Sequence, residues 1–261
     1  MLRPHFSFFM DIKKERNVVG IRNPKKQGNL SSYVYEIERN NSFFKHRHAV
    51  MITFLIAHLF GIIGLVNIFR GKVCPATVIL GIVLADLGAL GTTIGAHRLW
   101  SHKSFKARTS LKILLAFLFS LAGQDSIYRW AMWHRLHHKF VDTDGDPHNS
   151  TRAKLDMSDL ENDPIVMWNR KNYLKFCFAP LIVILPVIIS VYFFGETVFN
   201  AFCVAACLKY TYNSHRTYLI NSVAHMWGSR PYDINMTARN NKIATVLAYG
   251  EGWHNYHHAF P

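Results

Sequence analysis

The stretch AVMITFLIAHLFGIIGLVNIF, residues 49–69, decides the fold of this chain. It is 21 residues long, and its only ionisable side chain is His58. A helix of that length spans the roughly 30 Å hydrocarbon core of a bilayer, because each residue adds about 1.5 Å. The stretch therefore predicts a helix that crosses a membrane.

Three more apolar runs lie further along the chain. Residues 73–96 follow a short turn at residues 70–72, and residues 173–195 and 197–212 are separated by little more than Glu196. Each pair of runs is expected to form a tight hairpin. The sequence thus predicts an all-α membrane protein with four transmembrane helices in two hairpins. Residues 111–122 are also apolar, but they are too short to span and indicate an interfacial or re-entrant helix.

The basic residues predict which side of the membrane the polar segments occupy. The formal net charge is +14, yet only Arg70 and Lys72 of the 30 Lys and Arg residues fall in the loops opposite the polar segments. Positive residues favour the cytosol, so residues 1–48 are predicted to be a basic cytosolic N-terminal tail. Residues 49–261 are predicted to be one domain, in which residues 97–172 and 213–261 form a cytosolic helical cap. The basic residues form no nucleic-acid-binding motif, and the long apolar runs favour membrane lipid as the partner over nucleic acid.

Histidines are concentrated in the predicted cap. Nine of the 15 histidines in the chain lie in three tight groups and one separate position, all on the predicted cytosolic side. Coincidence is a poor explanation for so many rings at metal-ligand spacing on one membrane face. The nine are His97 and His102, then His134, His137 and His138, then His225, and finally His254, His257 and His258.

The spacing within these groups favours convergence on a metal. Positions i, i+3 and i+4, as in His134, His137 and His138, share one face of a helix, and the last group repeats the pattern. Asn221 lies four residues before His225, so its amide is predicted to reach the same centre directly or through water. Residues five apart are splayed in an α-helix, so the chain is expected to bend and the second apolar helix to end between His97 and His102.

Nine imidazoles exceed the ligand set of one zinc ion, which takes four ligands or three plus water. Two metal ions are therefore predicted, and imidazole alone leaves iron, copper, nickel and zinc open. Nearby carboxylates are expected to accept hydrogen bonds from the outer ring nitrogens and so fix the orientation of the ligands. The candidates are Asp142, Asp144, Asp146 and Glu251.

At these residues the chain resembles the membrane fatty acyl-CoA desaturases of the stearoyl-CoA or delta-9 family, with an insect-like character. The resemblance runs from about Arg39 to Pro261. It includes GAHRLWSH at 95–102, HRLHHK at 134–139 with DTDGDPHN at 142–149, LDMSDLENDP at 155–164, GET at 195–197, NSVAH at 221–225, RPYD at 230–233 and GEGWHNYHH at 250–258.

The resemblance implies a function and a set of roles. The nine histidines would ligate two iron ions, and Asn221 would hold a water on one of them. The enzyme would use O2 to insert a cis double bond, at the delta-9 position, into a long-chain acyl-CoA in the endoplasmic reticulum membrane, with electrons from cytochrome b5. Substrate-binding residues would be Arg39, Asn40, Trp130 and Tyr218.

The chain also departs from the family pattern. By this comparison it lacks a segment after Arg152 that carries a basic pair for the CoA head group, and a region that would follow Pro261. Met132 and Trp133 replace an Arg-Asp pair, and Arg129 stands where an acid is common. Two alternatives therefore stay open: a non-catalytic or impaired desaturase-like membrane protein that retains the iron site, and a lipid hydroxylase or conjugase.

Overall fold

The structure is a computed structural model that describes residues 42–142 and 156–260. These residues form helices joined by short connections, with isolated bridges at Ser229–Asn240 and Asn240–Trp253 in place of a sheet. In chain order the helices are α1 (Ser42–Phe69), α2 (Pro75–Ser101), α3 (Thr109–Ala122), α4 (Ile127–Phe140), α5 (Ser158–Glu161), α6 (Pro164–Phe194), α7 (198–226), α8 (Lys242–Leu247) and α9 (His254–Ala259).

Three of these helices contain stretches long and apolar enough to cross a membrane: His48–Phe69, Pro75–Ser101 and Pro164–Phe194. They match the predicted runs 49–69, 73–96 and 173–195. Much of the outer surface of α1 is apolar and exposed, for example Leu55 with 65% of its surface accessible. Such a surface is stable in hydrocarbon and costly in water.

The fourth predicted crossing, residues 197–212, lies in a helix that is long enough to span, but no stretch of that helix is apolar enough over the length of a span. It forms the first part of α7, whose segments are Val198–Ala201, a π-helical Phe202–Leu208 and Lys209–Met226. The apolar part is short, and Lys209 interrupts it with an ammonium group that is buried 3.5 Å from the carbonyl oxygen of Ile182. A fourth crossing could instead come from α3 and α4, which are bent by 81° at the break between Ala122 and Ile127.

The bend between α3 and α4 places a short apolar helix against a histidine-bearing one. Gly123 ends α3 in the left-handed conformation (φ 72°), which glycine adopts without steric cost. Ser126 then caps α4 by accepting a hydrogen bond from the Arg129 N–H. The predicted re-entrant or interfacial helix at 111–122 thus corresponds to α3, and a broken span and a re-entrant loop both fit its geometry.

The last part of α2 is π-helical, which the sequence did not predict. The helix continues to Ser101, because Gly91–Ser101 is π-helical, and the His102 N–H donates to the His97 carbonyl over 3.0 Å. Hydrogen bonds from i to i+5 place residues five apart above one another. The prediction that the helix ends between His97 and His102 is confirmed, since its last residue is Ser101, but the regular α-helical geometry assumed for this stretch was wrong.

A buried apolar cluster supports the histidine-bearing ends of α2 and α4. It joins these helices to α3, α5 and α6 through side chains such as Trp100, Phe119, Tyr128, Leu160 and Val166. Arg135 of α4 reinforces the cluster by donating to both carboxylate oxygens of Asp159, at 2.8 and 2.6 Å, and to the Trp100 carbonyl. This packing fixes the relative positions of α2 and α4, from which four of the nine histidines project, and His102 follows directly after α2.

Candidate metal centre

All nine predicted histidines lie within two adjacent groups. Each ring in a group offers one nitrogen, and the nitrogens of a group all lie within 4.8 Å of one another. That is close enough for the rings of a group to share a metal ion. One group contains five rings and the other contains four. The five-ring group is His97, His102, His134, His138 and His257, and the four-ring group is His137, His225, His254 and His258.

Two helices contribute to both groups, which explains why the groups are adjacent. His134 and His138 of α4 join the five-ring group, while His137 on the same helix joins the four-ring group. Likewise α9 supplies His257 to the five-ring group, and His254 and His258 to the four-ring group. The spacing i, i+3, i+4 therefore divides each motif between two centres instead of directing its three rings at one.

The distances between facing nitrogens match those between neighbouring ligands of one ion. In the five-ring group the Nε2 atoms of His102 and His134 are 2.8 Å apart, and Nε2 of His257 lies 3.1 Å from that of His97 and 2.7 Å from that of His138. Imidazole nitrogens bind divalent metals at about 2.0–2.1 Å, so two ligands at a right angle lie about 3 Å apart.

The four-ring group has the same geometry. The Nε2 atom of His254 lies 2.8 Å from that of His225 and 3.1 Å from that of His258, which in turn lies 3.3 Å from that of His137. Nitrogens at such distances repel one another unless a proton or a cation lies between them. The donor set in both groups therefore fits bound metal ions.

Two of the predicted acids, Glu251 and Asp142, lie near the outer ring nitrogens, one beside His97 and one behind a hydroxyl that contacts His225. A Glu251 oxygen lies 2.9 Å from Nδ1 of His97. On the other group, Nδ1 of His225 lies 2.9 Å from the Thr237 hydroxyl, which donates in turn to Asp142. A proton on Nδ1 of His225, donated to the Thr237 hydroxyl, leaves the Nε2 lone pair of that ring free for a metal, and the negative charge of Glu251 favours the same tautomer of His97.

Burial favours the unprotonated, metal-binding form of four of the rings by lowering their pKa. It lowers the pKa of His102 to about 4, with a further contribution from the positive charge that a protonated His97 would carry. Burial also holds the pKa of His254, His257 and His258 well below the usual value of 6.5, and neighbouring rings add to the effect. Proton competition for these ligands is therefore weak near neutral pH.

A cavity adjoins both groups, with Ala89, Thr93, Ile220, His134 and His257 in its wall. Trp130, predicted to bind substrate, also lines it, and its ring stacks on His134 with centroids 5.1 Å apart. The Trp130 indole N–H donates to Gln124 over 3.0 Å, and Gln124 donates to the Thr217 hydroxyl over 2.6 Å.

The other predicted site residues have different positions. Asn221 lines the same cavity as His254 and is exposed. Tyr218 is half-exposed on α7 and packs against Phe54 of α1, with ring centroids 5.9 Å apart. It does not line the cavity. Arg39, Asn40, Asp144, Asp146 and Arg152 lie outside the described residues.

Sequence reasoning did not identify Thr237, Gln124, Thr217 or Arg216. Thr237 connects to Asp142 across 95 positions, and its neighbours in the sequence give no pattern that points to a histidine. The other three line the cavity: Gln124 and Thr217 meet only when the α3–α4 connection packs against α7, and Arg216 pairs with Asp86 of α2. The sequence gave one indication of Thr217: it is polar and lies four residues from both Asn213 and Asn221.

Comparison with known proteins shows the family. The chain is 44% identical over 235 residues to the Delta(9)-fatty-acid desaturase fat-6 of Caenorhabditis elegans, covering 80% of this chain and 67% of the relative. It is 41% identical to stearoyl-CoA desaturase 5 of Bos taurus (79% and 67% covered). It is 39% identical to the (11Z)-hexadec-11-enoyl-CoA conjugase of Bombyx mori (83% and 72% covered). No family model matches the chain.

The helices and the candidate metal centre define a class of protein: a multi-pass membrane protein with two clusters of histidines. Within that class, the chain belongs to the fatty acyl-CoA desaturases, which are oxidoreductases. It spans about two thirds of the length of these relatives.

Proposed function

We propose that this chain uses O2 to desaturate a long-chain fatty acyl-CoA at a pair of iron ions held by the nine histidines. The observation that carries the proposal is the convergence of nine rings into two adjacent groups that open onto one cavity. The relatives act on related substrates, since one is named for stearoyl-CoA and another for hexadec-11-enoyl-CoA.

The reaction removes two hydrogens from neighbouring methylene groups. One O2 molecule, two electrons and two protons combine with these two hydrogens to give two waters, and the carbon pair becomes a double bond. A methylene has no acidity that a general base can use, so the chemistry needs an oxidant. Two iron ions with O2 supply one, whereas zinc has no redox chemistry, which is why iron is favoured here.

The side chains around the cavity would hold the acyl chain. The cavity wall contains the indole of Trp130, the side chain of Ile220 and the small residues Ala89 and Ala248. An apolar wall excludes water and holds one carbon pair against the rings, which is how position along the chain would be selected. A delta-9 position and cis geometry are part of the proposal.

The ligands would be divided between two ions in unequal numbers. Five rings would hold one iron and four would hold the other, with Asn221 placing a water on the four-ring ion. Glu251 would fix the orientation of His97, and Thr237 with Asp142 that of His225.

The proposal includes four crossings in two hairpins, with both histidine-bearing segments and the N-terminal tail in the cytosol, in the endoplasmic reticulum membrane. Only Arg70 and Lys72 among the basic residues lie in the opposite loops, which supports this orientation. A basic cytosolic face of this kind suits an acidic electron donor such as cytochrome b5.

A conjugase activity is a second candidate. It is favoured by the relative from Bombyx mori, whose substrate already carries a double bond. The same centre would then remove hydrogens next to an existing double bond. Supplying saturated and monounsaturated acyl-CoAs separately, and determining the double-bond positions in the products by mass spectrometry, distinguishes the two reactions.

The experiment is expression in a yeast strain that cannot make unsaturated fatty acids. Growth without supplement, together with new monounsaturated acyl chains in lipid extracts, is the expected result. The matched control is His257→Ala, which removes a ring of the five-ring group and is expected not to grow. Failure of the wild-type chain to rescue growth, although it is present in membranes and carries iron, would contradict desaturation and favour a non-catalytic protein.

A further inference from the structure

A short loop next to the candidate metal centre extends away from it along α7. We define it as the α8 loop, residues 241–252, which contains α8 and the segment that returns to His254. Its two ends meet, since the Asn241 N–H donates to the Gly252 carbonyl over 2.8 Å. Because His254 belongs to the four-ring group and follows two residues later, the base of the α8 loop lies near the histidines.

The far end of the α8 loop lies at the depth of the spanning helices. Arg216 of α7 donates through Nε to the Leu247 carbonyl over 2.7 Å and through Nη1 to Asp86 of α2 over 2.8 Å. One guanidinium bonds both groups, so Leu247 lies at the depth of Asp86. Asp86 is ten residues before Ala96, where the apolar run of α2 ends, and this separation corresponds to about 15 Å of helix.

The contact between α1 and α7 gives the same depth. His215, the residue before Arg216, has its Nε2 atom 2.9 Å from that of His58 on α1. His58 is ten residues after His48, where the spanning stretch of α1 begins. Two spanning helices therefore place Arg216, and with it Leu247, about 15 Å inside the apolar layer, measured from the side of the histidines.

The outer face of α8 is apolar and exposed. Ile243, Val246 and Leu247 follow the spacing i, i+3, i+4 and so share one face of the helix, and Val246 has 78% of its surface accessible. A contiguous face of this kind is unfavourable in water. The exposed apolar surface of α2 reaches the same depth at Val83, one turn before Asp86. The face of α8 therefore lies at the depth of a lipid-facing surface.

The backbone at the end of α8 is bonded in a way that suits surroundings without water. The last carbonyls of a helix have no partners within the helix. Here the Thr245 carbonyl accepts from the Gly250 N–H over 2.8 Å, and the Leu247 carbonyl accepts from the buried side chain of Arg216. Water would bond such carbonyls on a solvated surface, whereas hydrocarbon offers no donor, so a helix end next to lipid needs protein donors.

From this depth, the exposed apolar face and the bonded helix end, we infer that the α8 loop dips into the membrane and that α8 contacts lipid acyl chains. The loop returns on the side where it entered, so the proposed number of crossings is unchanged. Ala248 and Glu251, on its returning part, line the cavity. The α8 loop thus forms part of the wall between the cavity and the lipid. The inference refines the expectation that residues 213–261 are wholly cytosolic, and it does not depend on desaturation.

A second copy of the chain or another protein is the competing occupant of the exposed face. The depth of Leu247 favours lipid, because acyl chains already surround the spanning helices at that level, whereas a soluble protein does not reach it. Another membrane protein, including a second copy, could reach it. Lipid, water and protein coverage are distinguished by which small reagents collide with the face of α8.

The test attaches a nitroxide spin label at Val246→Cys in the full chain, reconstituted in lipid nanodiscs. Collisions of the label with oxygen, which concentrates in lipid, are compared with collisions with a water-soluble nickel chelate. The background carries Cys74→Ser, since the other three cysteines are buried. Leu55→Cys on the outer face of α1 is the lipid reference. Ile234→Cys is the matched water reference, because this isoleucine is 71% exposed and its neighbour Asp233 bonds to α9 beside the histidines.

The ratio of oxygen to nickel collisions at Val246→Cys is expected to match that at Leu55→Cys and to be clearly higher than that at Ile234→Cys. A ratio equal to that at Ile234→Cys would place α8 in water and overturn the inference. Low collision rates with both reagents would show coverage by protein and would overturn it as well. Should Val246→Cys not assemble, Ile243→Cys probes the same face with the same expectations. The measurement needs no turnover, so its result is independent of whether the chain desaturates acyl-CoA.

Discussion

At the residue scale, His102 and His258 represent the two histidine groups. His102 contacts His134, whereas His258 contacts His137 and His254. Each ring belongs to one group, so the two groups are expected to lose metal independently of each other.

The first prediction follows from that division. Replacing His102 by Ala is expected to reduce the iron content from about two ions to about one, because the other group keeps its ligands; replacing His258 by Ala is expected to do the same. Metal analysis of purified variants is the measurement. His58→Gln, which changes a histidine on α1 paired with His215, is the control and is expected to keep both ions. Complete loss of metal from each single variant would show that the two groups are one site.

Glu251 carries a second prediction, because its carboxylate lies 2.9 Å from Nδ1 of His97. Glu251→Gln is expected to weaken metal binding about 10–100-fold, since an amide is a poorer partner for the outer ring nitrogen. Competition with a chelator measures the affinity. Glu161→Gln is the matched control, as Glu161 accepts a hydrogen bond from Tyr128 and contacts no histidine in either group. Equal affinities in the two variants would contradict a role for Glu251 in orienting His97.

Sequence reasoning identified the residues of the candidate site better than their arrangement. Histidine spacing identified nine rings, and the structure brings all nine together, although their role as ligands stays a prediction. It did not show that His137 and His138, adjacent in sequence, belong to different groups. That division depends on the packing of α4 against α7 and α9, which no local pattern encodes.

At the scale of elements, close helix contact explains a glycine in α2. A Cβ added at Gly91 would overlap the backbone of Phe119 in α3, whereas one added at Gly81 would meet atoms at an ordinary 3.7 Å. The contact between α2 and α3 positions the π-helical end of α2, from which His97 projects. Gly91 is therefore required for the site as well as for the fold.

A third prediction tests that contact. Gly91→Ala is expected to destabilise the protein by about 1–3 kcal/mol or more, because the backbones of α2 and α3 must separate. Thermal unfolding in detergent measures the change. Gly81→Ala lies on the same helix and is expected to have a much smaller effect. Equal melting temperatures for the two variants would contradict the close packing of α2 on α3.

Apolar length predicted three of the elements well, because burial in a bilayer demands about 20 apolar residues in a row. It gave less information on α7, where Lys209 and the polar residues after it depend on neighbouring helices for burial. The π-helical end of α2 was also missed. The change from i+4 to i+5 hydrogen bonding begins at Gly91, where α2 packs closely on α3, and local helix propensity does not predict it.

For the whole molecule, the charge pattern predicts the arrangement across the membrane. We expect Gly71→Cys, in the turn after α1, to react with an impermeant thiol reagent only after microsomes are permeabilised. Ser229→Cys, beyond α7, is expected to react in intact microsomes, because the histidine-bearing segments would face the cytosol. Labelling of both positions from the same side would contradict the proposed topology.

The metal-free protein is predicted to lose stability in acid. The pKa of His102 is lowered to about 4 in the folded state, whereas an unfolded histidine titrates near 6.5. Between these values the unfolded chain binds more protons, so stability falls as the pH decreases through that window. Melting temperatures of chelator-treated protein between about pH 7 and pH 4 measure the effect.

The control for this titration uses single histidine variants. His102→Gln is expected to reduce the dependence on pH, because one buried ring that resists protonation is removed. His48→Gln, at an exposed position on α1, is expected to leave it unchanged. A stability that rises on acidification would contradict the low pKa of the buried rings.

Metal analysis of the purified full-length chain tests the central claim most directly. The account predicts about two iron ions per chain, with occupancy that depends on both histidine groups. A chain that retains no transition metal, or that binds a single zinc ion at full occupancy, would contradict it.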